Sequence, residues 1–186
     1  MLFDISPKEK QSTDFNFDVQ RHSAGFISSQ NDYLSKYLKE IETDHDVIHF
    51  TSNGRFALHD LIIFYAKKIG LCNVIVSSFN ISVEASNKIL KAWNLGAFSS
   101  FAMILNSQKK HNFIKSVRIL ENKIPMKFIP VHAKVAILWN GAHYITIVSS
   151  GNLSSNGNTE RGFIFFDKHT FDFDYQWMHK IIYTTK

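Results

Sequence analysis

Two short apolar runs, residues 135–139 and 144–148, flank Asn140-Gly141, and they constrain this chain more than any other stretch. Asn-Gly between runs of this kind is the strongest short-range signal for a β-hairpin. The open end of that hairpin carries chemistry-bearing residues. His132 and Lys134 stand two apart as the first strand opens, and on an extended strand residues i and i+2 share a face. The second run closes on Ser149-Ser150-Gly151-Asn152, a small polar cluster foreign to a buried strand. Antiparallel pairing returns that cluster towards His132 and Lys134. Glu160 follows, just before another apolar run at 162–166.

This arrangement resembles the phospholipase D superfamily. The signature there is His-x-Lys, four residues, an Asp, then a Gly-Ser-x-Asn cluster and often a later Glu. His132-Ala133-Lys134 matches the opening, Ser149-Ser150-Gly151-Asn152 the cluster with Ser149 for the Gly, and Glu160 the later acid. Trp139 stands at the Asp position, a departure that would remove one support of the site. The resemblance implies an α/β fold, a phospholipase D-like sandwich with a mixed central sheet flanked by helices. It implies a phosphodiesterase, most simply an endonuclease on DNA rather than RNA, that needs no metal and no cofactor.

In that scheme His132 is the nucleophile and forms a phosphohistidine that water hydrolyses. Lys134 supplies a compact cation. Asn152 and the substrate-binding Ser150 donate to the non-bridging oxygens. Glu160 orients an imidazole and stabilises its charged form. The scheme uses two imidazoles, whereas the chain has a single His-x-Lys, as do the short bacterial endonucleases of this superfamily, which dimerise. The resemblance therefore implies a homodimer with His132 of both chains facing across the two-fold axis.

Charge patterning favours a polyanionic partner. Residues 1–54 hold nine Asp/Glu and five Lys/Arg, residues 55–134 hold twelve Lys/Arg against Asp60, Glu84 and Glu121, and the remainder balances. Phosphate neutralisation is the simplest use of such a basic segment, and a solvated helical surface is the plain one. One cysteine, Cys72, excludes an internal disulfide and fits a reducing, cytoplasmic setting. The first ten residues show no apolar leader, and no run has the length of a membrane span.

In chain order, residues 1–24 read as an N-terminal arm or edge strand, with period-two alternation at 14–19, and 25–186 as a single domain. Helical spacing is expected over 26–41, a strand at 47–51, and a helix over 55–68 capped from Ser52-Asn53-Gly54. A strand at 73–77, a helix from Ser82 or Ser86 through Trp93, a strand at 100–105 and a basic amphipathic helix over 108–121 follow. The segment 126–131 leads into the His132 strand, and a closing helix over 171–183 puts Phe173, Trp177 and Ile181 on one side. Alternating strands and helices predict a parallel or mixed sheet.

Other residue groups have plainer readings. Ser77-Ser78-Phe79-Asn80 reads as a loop that can line a cleft, and Asn156, Asn158 and Thr159 as loop residues. Asp44, His45, Asp46 and His49 lie close in sequence, as a metal site would require, but the segment looks extended. The remaining histidines are scattered. Two other functions stay open on the sequence: a catalytically impaired module that binds nucleic acid, and a phosphodiesterase acting on lipid or a small nucleotide.

Overall fold

A computed structural model describes residues 17–19, 23–25, 34, 38 and 47–184. The expected helix over 26–41 lies outside the described residues apart from Leu34 and Leu38, both buried. The elements in order are β1 (Phe17–Val19), β2 (Ser23–Gly25), β3 (Val47–Thr51), α1 (Leu58–Ile69), β4 (Cys72–Ser78), α2 (Val83–Asn94) and β5 (Phe98–Asn106). A 3-10 segment (Ser107–Phe113) runs into α3 (Ile114–Leu120), followed by β6 (Met126–Ile129), β7 (Val135–Trp139), β8 (Tyr144–Ser149), β9 (Arg161–Phe165) and α4 (Lys168–Thr184).

The strands form one sheet in the order β2-β1-β3-β9-β8-β7-β4-β5-β6. β4, β5 and β6 are parallel, and the pairs from β4–β7 through to β1–β2 are antiparallel. The sheet is mixed because β-α-β crossovers build its parallel side, while the 135–165 segment folds as a meander. Strand alternation sends Val74, Val76, Met103 and Leu138 to a large core under α1, α2 and α3. Ile75, Ala102, Ile104 and Ile137 point the other way, against Phe171, Met178 and Ile182 of α4. Helices on both faces explain why β4 and β5 read as nearly continuous apolar runs.

Several expected elements differ in detail. The hairpin loop is four residues, 140–143, because Trp139 pairs with Tyr144. Asn140 shapes it by accepting the backbone N–H groups of Ala142 and His143, both at 2.9 Å, so the Asn-Gly pair is not itself the turn. The basic helix over 108–121 is split into the 3-10 segment and a short α3. α1 starts at Leu58, where Asp60 accepts the Ala57 N–H at 2.9 Å, and Ser52-Asn53-Gly54 does not cap it. α4 buries Phe171, Asp174, Met178 and Ile182, leaving Phe173 72% exposed. Asp174 tolerates that face because Trp177 Nε1 donates to its carboxylate at 2.8 Å; burial pushes its pKa up.

Candidate active site

The sheet brings one set of strand ends together. β3, β4, β5, β6 and β8 finish there, while β7 and β9 begin there, as the pairs Ser77↔Val135, Val135↔Val148, Ser149↔Gly162 and Thr51↔Arg161 require. Ligands of α/β sheets characteristically bind outside the carboxyl ends of strands. Small polar residues gather at this end and tie its loops together.

His132 and Lys134 lie in the extended segment just before β7, not within a strand. Three bonds fix that segment. Asn106 Nδ2 donates to the Val131 carbonyl at 2.6 Å, Ser77 Oγ to the Ala133 carbonyl at 3.1 Å, and the Ser149 N–H to the Lys134 carbonyl at 2.9 Å. His132 is exposed, whereas Lys134 is buried. The Lys134 ammonium donates to the His132 carbonyl at 3.0 Å and lies 3.2 Å from His132 Nδ1. The Phe79 ring sits 5.0 Å from the imidazole and 5.9 Å from the ammonium. The expected meeting of both side chains at one place therefore holds, although a loop rather than a strand delivers it.

Burial holds the Lys134 ammonium below its ordinary pKa, and the charge of Glu160 acts against that shift. Glu160 itself is anchored from three sides. Its carboxylate accepts the Ser150 hydroxyl and, at 3.2 Å, the Asn156 amide. Its backbone N–H donates to Ser52 Oγ at 3.1 Å, and its carbonyl accepts the Ser52 N–H at 2.8 Å. Gly151 lets the Glu160 side chain lie close, since a Cβ there would meet Glu160 Cγ at 3.0 Å.

Ser150 is drawn into this support. Its hydroxyl proton is committed to Glu160, and its oxygen accepts the Arg161 N–H at 2.9 Å. Asn152 is half-buried, its Oδ1 3.5 Å from Ser78 Oγ. Ser78 is fully buried; it accepts the Leu153 N–H at 3.1 Å and donates to the Asn80 carbonyl at 2.7 Å, pinning the loop that carries Asn152.

Sequence reasoning undervalued Ser52, Ser78 and Phe79. Ser52-Asn53-Gly54 holds the Glu160 loop instead of a helix. Thr159 Oγ1 donates to Asn53 Oδ1 at 3.0 Å, and Gly54, at φ 71°, packs on Gly157 so closely that a Cβ would lie 2.9 Å from its carbonyl. The signal was a small polar residue at the end of strand after strand: Ser52, Ser77-Ser78, Asn106, Ser149.

Trp139 lies at the other end of β7, about 13 Å along the strand from Val135. Its ring packs on Phe171 and Tyr175 at centroid distances of 5.5 and 5.4 Å. The departure from the signature thus falls in the aromatic packing under α4, remote from Lys134. Of the other described histidines, His49 meets Phe163 edge-to-face, His59 is buried in α1, His111 and His169 are exposed, His143 is in the hairpin loop and His179 lies between Tyr175 and Tyr183. Asp44, His45 and Asp46 lie outside the described residues. Burial raises the Cys72 thiol to about 11, which disqualifies it as a nucleophile at neutral pH.

Among the described residues no helix is long and apolar enough to cross a membrane. No protein-family model and no curated protein sequence matches the chain. Solved structures do. TrmBL2, an archaeal chromatin protein described with a novel mode of DNA binding, aligns at 14% identity over 79% of this chain and 55% of its own, with a TM-score of 0.51. The polyphosphate kinase of Porphyromonas gingivalis aligns at 11% identity over 73% of this chain and 26% of its own, also with a TM-score of 0.51. A phosphatidylserine synthase of Haemophilus influenzae aligns at 10% identity over 75% of this chain and 39% of its own, at 0.48. The chain spans about half or less of the length of these structures. At such identities the likeness concerns the fold: this is an α/β protein with a mixed sheet flanked by helices, structurally similar to phospholipase D-like domains.

Proposed function

We propose that this chain is a metal-independent phosphodiesterase, an endonuclease acting on DNA through a phosphohistidine. The observation that carries the reading is the convergence of exposed His132 with buried Lys134, beside a Glu160 anchored by Ser150 and Asn156. An exposed imidazole can reach a phosphorus atom, and a partly desolvated ammonium binds a phosphate oxygen more strongly than a fully hydrated one. An imidazole nitrogen of His132 attacks phosphorus, the bond to the leaving oxygen breaks, and a second imidazole gives that oxygen its proton. Water then attacks the phosphohistidine and frees His132, leaving a phosphomonoester. Lys134 and Asn152 hold the non-bridging oxygens. Ser150 serves as a positioning residue for Glu160, because its proton is already committed.

DNA is favoured over a lipid or a free nucleotide by the charge around the strand ends. Arg55, Lys109 and Arg161 are all exposed on segments that start there. A structural neighbour is a DNA-binding chromatin protein, which accords with this choice. Plasmid cleavage that survives excess EDTA and is absent with His132→Ala is the expected result. Cleavage abolished by EDTA, or none on any nucleic acid, would contradict the reading.

The second imidazole is proposed to come from His132 of a second copy, in a two-fold dimer whose sites face each other. Equal mixing of wild-type and His132→Ala chains should then leave about one quarter of the activity, because only wild-type pairs are complete. Activity that follows the wild-type fraction, about one half, would exclude a shared site.

Lys134 sets an alkaline limit. The ammonium must stay charged to hold the phosphate, and burial places its pKa below 10.5. Activity should therefore fall as pH rises through that lowered value, before free lysine would titrate. Lys134→Arg, with a guanidinium that does not titrate in this range, should move the limb upward even at reduced rate; a pH–rate profile of both proteins reads it.

A further inference from the structure

A groove of about 500 Å³ runs between the Ser107–Leu120 segment and β6, the outermost strand on that side of the sheet. Its floor is apolar, with Ile114, Met126 and Phe128, and its rim carries Lys110 and Arg118 against a single carboxylate, Glu121. Lys110 is held 4.4 Å above the Phe128 ring, which fixes a cation at the mouth. Ile114 is 45% exposed and lies in the same lining as Lys110 and Arg118. Lys109 and Lys115 are exposed close by in the chain.

The Lys110 and Phe128 end of the groove lies at the end of the sheet that carries the candidate site. Phe128 precedes His132 by four residues, so the two are at most about 14 Å apart along the chain. The Asn106–Val131 bond ties the start of the 3-10 segment to the segment carrying His132. A phosphate entering at Lys110 is thus one short step from the imidazole.

We infer that this groove is the track along which a single nucleic-acid strand reaches His132. The inference rests on the phosphodiesterase reading for its destination, but not for its chemistry. A duplex offers phosphates and hides the faces of its bases; a cationic rim over an apolar floor fits a strand with its bases unstacked. The rim takes phosphates and the floor takes bases, with little dependence on sequence.

The test measures binding of a labelled 20-nucleotide single strand and of the matching duplex, with hydrolysis of bis(p-nitrophenyl) phosphate alongside. Wild-type protein should bind the single strand more tightly than the duplex. The K110E/R118E protein should lose at least about tenfold of single-strand affinity, with a salt slope smaller by about 1.4, as expected for two lost phosphate contacts. Hydrolysis of the small diester, which needs no track, should be unchanged. K67E/K91E, with the same charge change in the groove between α1 and α2, should bind like wild type. Ile114→Glu, at an exposed position, should also weaken single-strand binding. Undiminished binding by K110E/R118E, equal loss in K67E/K91E, or a preference for duplex would overturn the inference. Wild-type protein that hydrolyses no diester, yet loses single-strand binding on K110E/R118E substitution, would refute the catalytic reading and leave the track standing.

Discussion

Alanine at position 132 is expected to lower phosphodiester hydrolysis by about 10³-fold or more while leaving the fold unchanged. The size follows from the proposed role: removal of a nucleophile would abolish the covalent path and leave the binding and charge stabilisation proposed for Lys134 and Asn152. The neutrality towards folding follows from position. His132 is exposed, and among the described residues its ring meets Phe79 and the Lys134 ammonium. Truncation there should change stability by no more than about 0.5 kcal/mol. Rates and thermal melts on the same sample give both numbers. A full rate in His132→Ala would remove the nucleophile from the scheme. A rate loss accompanied by a collapsed melt would make His132 structural.

Gly162→Ala is expected to be among the most damaging single-methyl changes in the chain. Gly162 lies in β9 between β8 and β3, opposite Ser149 and Phe50. An added Cβ would meet the Val148 carbonyl oxygen at 2.3 Å and the Phe50 ring at 2.4 Å. The ring could turn only by disturbing its packing on Phe56, and the carbonyl is backbone, so the strands must part. Overpacking of this kind costs about 3 kcal/mol or more, which for a chain of this size lowers the melting temperature by about 10 °C. Activity should fall as well, because Glu160 and Arg161 lead directly into the displaced strand. Gly157→Ala, where an added Cβ meets nothing within 4 Å, is the control and should melt within about 2 °C of wild type. Wild-type melting of Gly162→Ala would contradict the register of β3, β9 and β8.

The fold was largely legible because the patterns that encode it are local. Apolar runs bounded by Ser, Asn and Gly marked β3, β4 and β5, and of the two serines offered as the start of α2 it is Ser82 that accepts the Ala85 N–H, at 3.1 Å. The face of α4 was misjudged because its buried series includes an aspartate. Asp174 reads as solvent-facing until Trp177 is seen to satisfy it. The strand bounds of the hairpin were legible, but its turn was misread because Asn140 turns the chain through its side chain, which also reaches the Ile69 carbonyl at 2.9 Å, a contact 71 residues distant.

The site was legible where its residues are near in sequence and hidden where they are not. His132, Lys134, Asn152 and Glu160, the candidates, share one 30-residue stretch, and the β7–β8–β9 meander brings their segments to one end of the sheet. Ser52, Ser78 and Phe79 come from strands earlier in the chain and join the site only through sheet order, which no local pattern reveals. Trp139 misled for a related reason. Position in a signature suggests proximity to the site, but five residues of strand carry Trp139 to the opposite end of β7, into packing with Phe171 and Tyr175.

The central claim is a covalent bond between His132 and phosphorus. It is tested most directly by quenching wild-type protein during turnover of a labelled phosphodiester, without acid, and mapping the label by mass spectrometry of peptides. A phosphoryl adduct on the peptide containing His132, formed before product and missing from His132→Ala, is the predicted result. Product released at full rate with no adduct at any time, or an adduct that persists in His132→Ala, would contradict it.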